Sequence, residues 1–160
     1  MGQQALYFLH SLSPQSAAYN VAACFRIASP VDADVMRHCF QTLVSRHEAL
    51  RTTFETVDGN PRCRIHSHMA TDFRQLMTAA CEPTQLQEMV KREYLRAFNL
   101  KDGPLLRVRL FTTADDDHVF LMTLHHIVFD AWSLWLLQEE FDTLYRHQSR
   151  GETAVLPSLT

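Results

Sequence analysis

The residues best suited to chemistry stand together in the run Leu124-His125-His126-Ile127-Val128-Phe129-Asp130-Ala131-Trp132-Ser133. A double histidine ends an apolar stretch, an aspartate follows four residues after the second histidine, and a helical pattern begins behind it. Imidazole is the side chain whose unperturbed pKa lies near neutrality, so a histidine held at a strand end is a natural proton acceptor. Asp130 would either orient that histidine or pin the connecting loop. Read alone, the run suggests acyl transfer. It also suits a histidine that is simply hydrogen-bonded in a core, and an HxxxD spacing often arises by chance. Adjacent strand residues point to opposite faces, which argues against one metal held by both His125 and His126, and no Cys or Glu completes a zinc site.

The elements that must position this run are legible from periodicity. A short amphipathic stretch, Gln3 to His10, ends before Pro14. Tyr19 to Ser29 alternates, with Val21, Ala23, Phe25 and Ile27 on one face, and predicts a strand. Asp32 and Asp34 open a helix carrying Met36, Phe40, Leu43, Val44 and His47, which should run to about Glu48. Leu50 to Val57 and Arg62 to His68 read as strands of a hairpin turning at Asp58-Gly59-Asn60. Phe73 to Ala80 and Gln85 to Phe98 are helical by pattern and broken at Pro83. Leu105 to Thr113 and His118 to His126 are strands around the acidic turn Asp115-Asp116-Asp117, which reads as a solvated hairpin. A last helix begins near Ser133 with Leu134, Leu137, Phe141, Leu144 and Tyr145 on one face, and residues 151–160 form a loose tail. Irregular alternation of helices with hairpin-linked strands predicts an α+β layered sandwich with a mixed sheet.

Bulk composition narrows the function further. The 160 residues suffice for one domain with a moderate core, and 46% hydrophobic with 21% charged residues is ordinary for a globular protein. A net charge of -3 and scattered basic residues give no footprint for nucleic acid. Four glycines, none in a phosphate-cradling loop, make nucleotide binding a weak reading. The four cysteines (Cys24, Cys39, Cys63, Cys81) lack zinc-like spacing and are expected as buried thiols in a reducing compartment. No apolar run approaches the roughly 20 residues that span a bilayer, and the start lacks the features of a signal peptide, so a cytoplasmic location is the default.

Four motifs in order carry a resemblance. Gly2-Gln3-Gln4-Ala5-Leu6-Tyr7-Phe8-Leu9, with Leu12-Ser13-Pro14 and Ala18-Tyr19-Asn20, resembles the opening of nonribosomal peptide synthetase condensation domains. Arg46-His47-Glu48-Ala49-Leu50-Arg51-Thr52-Thr53-Phe54 is similar to their second core motif. Phe98-Asn99-Leu100 with Gly103-Pro104-Leu105-Leu106-Arg107 resembles the segment before their catalytic strand, and His125-His126-Ile127-Val128-Phe129-Asp130 matches the HHxxxD signature. The signature usually continues with Gly, where Ala131 stands here, and Asn99 replaces a frequent Asp. The family varies at the position of Ala131 more often in hybrid polyketide–peptide assembly lines, and the Gln-Gln-Ala-Leu opening leans the same way.

The resemblance implies a chloramphenicol-acetyltransferase-like two-layer sandwich, here the N-terminal half of a pseudodimeric condensation domain. It implies amide formation between a carrier-bound acyl or peptidyl thioester and a carrier-bound aminoacyl acceptor, with His126 as the catalytic residue. His125 would support the site from beneath, and Asp130 would staple the loop to an arginine of the second motif, Arg46 in preference to Arg51. Trp132 and Ser133 are candidates to line a substrate tunnel, although Trp132 and Trp135 at helical spacing equally suit packing. No cofactor belongs to the chain itself, because phosphopantetheine arrives on the partner carriers, and neither metal, nucleic acid nor membrane is implied. The partners would be an upstream donor carrier, a downstream acceptor carrier and the C-terminal half of the domain, and the half alone is expected to be inactive and to self-associate. The competing readings are a coenzyme A-dependent acyltransferase of the same superfamily and a non-catalytic docking module that keeps only the fold.

Overall fold

The computed structural model describes residues 2–158 apart from position 130, with side chains omitted at 131–133. The elements run α1 (Gln3–Leu12), β1 (Asn20–Ile27), α2 (Ala33–Arg46), β2 (Thr52–Val57), β3 (Asn60–Ile65), β4 (Asp72–Met77), α3 (Pro83–Tyr94), β5 (Leu106–Ala114), β6 (Asp117–His125) and α4 (Ala131–Gln148). Four strands form a mixed sheet in the order β1-β6-β5-β4, antiparallel except for the parallel pair β4 and β5. β2 and β3 form a separate hairpin. Its two-residue turn places both Asp58 (φ 50) and Gly59 (φ 76) in the left-handed region, the geometry that matches strand twist.

The sheet's two faces differ in chemistry. Leu106, Val108 and Leu110 of β5 and Phe120, Met122 and Leu124 of β6 meet Met36, Cys39, Phe40, Leu43 and Val44 of α2 and Leu137 and Leu144 of α4 in the main core. This is the two-layer sandwich that the sequence predicts, and the helical stripes of α2 and α4 are the ones read from spacing. The opposite face of β5 carries Arg107 and Arg109, both buried, which bond to the backbone and side chains of α3 and β4. A smaller apolar cluster joins Leu6 of α1, Phe54 of β2, Phe98, Leu100, Leu105, Ile127 and Val128. At its edge Gly103 has φ +62, and a Cβ there would lie 3.1 Å from Thr53 Cγ2 and 3.2 Å from Met69 Cε, so glycine suits both the backbone and the space.

Several expectations are corrected. Residues 73–77 form strand β4 rather than helix: Phe73, Leu76 and Met77 mimic a helical stripe, but so short a segment cannot sustain a helix, whereas the edge of β5 offers a ladder. The backbone and hydroxyl of Thr78 both donate to Thr112 O and close that pairing. Pro83 starts α3 instead of breaking it, since a proline at the first turn lacks only an amide that would be unpaired anyway, and Glu82 with Gln85 forms a capping box. α3 ends at Tyr94, before Phe98, because Asn20 Nδ2 takes the carbonyls of Tyr94 and Arg96 while Arg107 takes those of Glu93, Arg96 and Ala97. Of the four cysteines only Cys39 is fully buried, and Cys24 and Cys63 are exposed. The acidic hairpin is solvated at Asp115 and Asp116 as expected, whereas Asp117, half-buried at the start of β6, is held by an ion pair. Arg26 reaches it at 2.5 and 2.7 Å, and with the Thr113 hydroxyl lowers its pKa to about 2.

Candidate active site

The site forms where β6 stops. His125 continues the strand alternation on the face away from α2 and α4, and His126 begins a tight 3-10 turn, His126–Val128. The two rings therefore part: His125 is 1% exposed, whereas His126 is open to solvent. His125 Nδ1 accepts the amide hydrogen of Ile127 at 3.2 Å. A ring nitrogen that accepts carries no hydrogen, so neutral His125 bears its proton on Nε2. Burial, then the charges of His10 and His126, push its pKa down to about 4, and it is neutral at pH 7.

His126 has the complementary arrangement. Its backbone amide donates to Tyr19 O at 2.9 Å, and its Nδ1 lies 3.1 Å from the Phe129 carbonyl. A carbonyl can only accept, so Nδ1 carries the hydrogen and the lone pair is left on Nε2. The ring is thus held by one edge, and its Nε2 has no hydrogen-bond partner among the described residues. The turn is fastened from α1 as well, through Gln3 Nε2 donating to Ile127 O at 3.0 Å and Leu6 packing with Ile127 and Val128.

A supporting shell surrounds His125. The His10 ring meets it edge-on at 5.5 Å, Phe98 edge-on at 6.2 Å, and Tyr19 tilted at 6.1 Å between centroids. Arg107 stacks its guanidinium 4.3 Å above the Phe98 ring while capping the end of α3. Burial, then the charges of Arg96 and Arg109, bring the Arg107 pKa down to about 10, which leaves it a cation at neutral pH.

The two arginines of the second motif lie apart from the histidines. Arg46 Nε donates to Glu140 at 3.0 Å, and His47 Nε2 lies 2.6 Å from the other oxygen of that buried carboxylate. Arg46 also donates to the Pro157 carbonyl. Arg51 donates to the carbonyl of His66. The expected pairing of Arg46 with Asp130 and the tunnel-lining roles of Trp132 and Ser133 fall outside the described residues. Sequence reading passed over Gln3, His10, Tyr19, Phe98 and Glu140 as functional groups. The one signal for His10 was its position four residues after Leu6, on the apolar side of a short helix.

Among the described residues no group of three His, Cys, Asp or Glu could hold a metal ion. An apolar cavity of about 380 Å³ lies between β1 and β6 and the helices α2 and α4, lined by Phe25, Phe40, Leu50, Phe120, Leu134 and Phe141 among others. Neither His125 nor His126 borders it. No helix among the described residues is long and apolar enough to cross a membrane.

The sequence model of the Condensation domain family matches residues 2–160. The chain belongs to the condensation domain family. It is 38% identical over 162 residues to the phosphinothricin tripeptide synthetase PhsC of Streptomyces viridochromogenes, an alignment covering 98% of this chain and 15% of that protein. It is also 36% identical over 146 residues to tyrocidine synthase 3 of Brevibacillus parabrevis, covering 90% of this chain and 2% of the relative. Among solved structures, the starter condensation domain of rhizomide synthetase RzmA superposes with a TM-score of 0.86 at 24% identity, covering 96% of this chain and 39% of that one. The first condensation domain of the calcium-dependent antibiotic synthetase gives 0.86 at 23% identity, covering 98% and 39%. The chain has the condensation-domain fold and spans about two fifths of the solved condensation domains it matches.

Proposed function

We propose that this chain is the N-terminal half of a nonribosomal peptide synthetase condensation domain, with residues 151–160 as the start of a linker. The full domain would form an amide between a donor acyl or peptidyl thioester and an acceptor amine, each delivered by a carrier protein in the cytoplasm. The observation that carries the reading is the held imidazole of His126, an exposed residue whose Nδ1 lies on the Phe129 carbonyl. In that role Nε2 takes a proton from the acceptor amine as its nitrogen attacks the thioester carbonyl. The C–N bond forms, the C–S bond breaks, and the departing thiolate recovers a proton. A base so placed typically contributes about 10²–10⁴-fold. His125 would support the site from beneath, and Asp130 would staple the loop to an arginine of the second motif, Arg46 in preference to Arg51. Trp132 and Ser133 would border the substrate path. The hybrid polyketide–peptide context is supported only by Ala131 and the Gln-Gln-Ala-Leu opening.

The test is a single-turnover assay of the intact condensation domain with acyl-loaded donor and aminoacyl-loaded acceptor carriers. His126→Ala should lose amide formation by at least about a hundredfold at an unchanged melting temperature. Equal product from both proteins would remove His126 from the mechanism. No product from either, with loading and folding verified, would favour a docking module.

A further inference from the structure

Ile127, the middle residue of the His126–Val128 turn, has both of its backbone polar groups held by side chains. Its amide donates to His125 Nδ1 at 3.2 Å, and its carbonyl accepts from Gln3 Nε2 at 3.0 Å. The first partner is two residues away in sequence, whereas the second is 124 residues away, in the first turn of α1. A carbonyl can only accept, so the amide group of Gln3 must turn its NH₂ toward it. Ile127 is 2% exposed, and a buried carbonyl that loses its donor has little water to replace it.

The helix that presents Gln3 is seated without it. The amides of Ala5 and Leu6 donate to Gly2 O at 3.0 and 3.2 Å, which closes the start of α1 through backbone alone. Leu6 packs with Phe54, Ile127 and Val128. The Tyr7 hydroxyl lies 3.0 Å from Thr56 Oγ1, and the buried His10 ring meets His125 edge-on. Gln3 therefore reaches the turn from a base fixed at three later positions. A glutamine at an exposed helix start loses side-chain entropy when it is held in one pose, and the contact it makes there is with the turn that carries His126.

The bonds along the turn form a sequence. The His126 amide donates to Tyr19 O at 2.9 Å and fixes the front of the turn. Gln3 fixes the peptide plane between Ile127 and Val128 in the middle. Two residues on, the Phe129 carbonyl lies 3.1 Å from His126 Nδ1. We propose that Gln3 is a positioning residue for His126: by fixing the middle peptide of the turn it sets where the Phe129 carbonyl stands, and with it the angle and tautomer of the imidazole. Without the Gln3 bond the middle peptide can rotate, and the ring loses its fixed hold. The role deepens the catalytic reading of His126 and rests on it.

The test uses the intact condensation domain with loaded carriers. Gln3→Met keeps the length of the side chain and removes the donor. It should lower kcat about tenfold while KM for the acceptor carrier and the melting temperature stay at wild-type values. Gln3→Glu, whose carboxylate turns an acceptor toward the carbonyl, should lose at least as much. Gln4→Met, at the exposed neighbouring position, should stay within about twofold of wild type. Nitrogen-15 NMR of the His126 ring should report the Nδ1–H tautomer in wild type and Gln4→Met, and a mixture of tautomers in Gln3→Met. A folded Gln3→Met with wild-type kcat would overturn the role, as would a lowered kcat with an unchanged His126 tautomer. A His126→Ala domain that forms as much amide as wild type would refute the catalytic reading itself, and the tautomer shift in Gln3→Met would then still support the hold of Gln3 on the ring.

Discussion

His125 and His126 are the same residue type one position apart, yet burial and partners give them opposite surroundings. His126 is exposed with Nδ1 on the Phe129 carbonyl, whereas His125 is enclosed, with Nδ1 accepting from the Ile127 amide. That burial has a consequence for pH. In the unfolded chain a histidine takes up its proton near ~6.5, while folded His125 does so only at about 4. Between those values the unfolded state binds the proton and the folded state does not, so the stability present above ~6.5 is lost as pH falls toward 4. A shift of that size corresponds to on the order of 3 kcal/mol, and His10, also lowered by burial, acts in the same direction. Urea midpoints of the intact domain should fall steeply between about pH 6.5 and 4.5, and a folded His125→Gln variant should flatten that limb. A midpoint constant across the window would contradict a neutral buried His125. The sequence made the pair visible by adjacency, and strand alternation assigned one histidine inward and the other outward. It could not show which groups enclose His125, since His10, Tyr19 and Phe98 lie far from it in sequence and meet it only through the fold.

At the scale of elements, the joint between α2 and α4 is polar as well as apolar. Glu140, 4% exposed, receives Arg46 and His47 from the end of α2, so one carboxylate fixes two consecutive residues of the second motif to the helix that follows the signature. Removing its charge strands a partly buried guanidinium. Glu140→Gln should lower unfolding free energy by about 3 kcal/mol, at the low end for a broken buried pair because Arg46 keeps some solvent access. A chemical denaturation curve of the intact domain within about 0.5 kcal/mol of wild type would show the pair to be dispensable. The periodic stripes of α2 and α4 and the apolar runs of β5 and β6 were readable because these elements face one continuous core. β4 was not, because its apolar spacing imitates a helix and its state is decided by the free edge of β5. α3 was readable as a helix but misplaced at both ends. It has no buried residue of its own, and its limits are set by Glu82 at one end and by Asn20 and Arg107 from other strands at the other.

The molecule as a whole presents more apolar surface at one border than its core requires. β1 is an edge strand with β6 on one side only, and its central Phe25 is 53% exposed although it packs 4.9 Å from Phe120 between ring centroids. The apolar cavity opens beside the same strand, lined by Ala23, Phe25 and Ile27. An unpaired edge next to exposed aromatic surface is a template for another strand or another copy. In the solved condensation domains this chain corresponds to about 39% of the polypeptide, so the 160-residue chain by itself presents a border that further chain would cover in the proposed full domain. The charge balance offers little resistance, since a net charge of -3 is small for a chain of this size. Sedimentation of the isolated 160-residue chain over a concentration series should therefore show a dimer or larger species, and Phe25→Lys, which puts a charge on the edge, should shift the population toward monomer. A wild-type chain that stays monomeric across the series would mean that the exposed edge is already guarded by its own twist and by the Arg26–Asp117 pair.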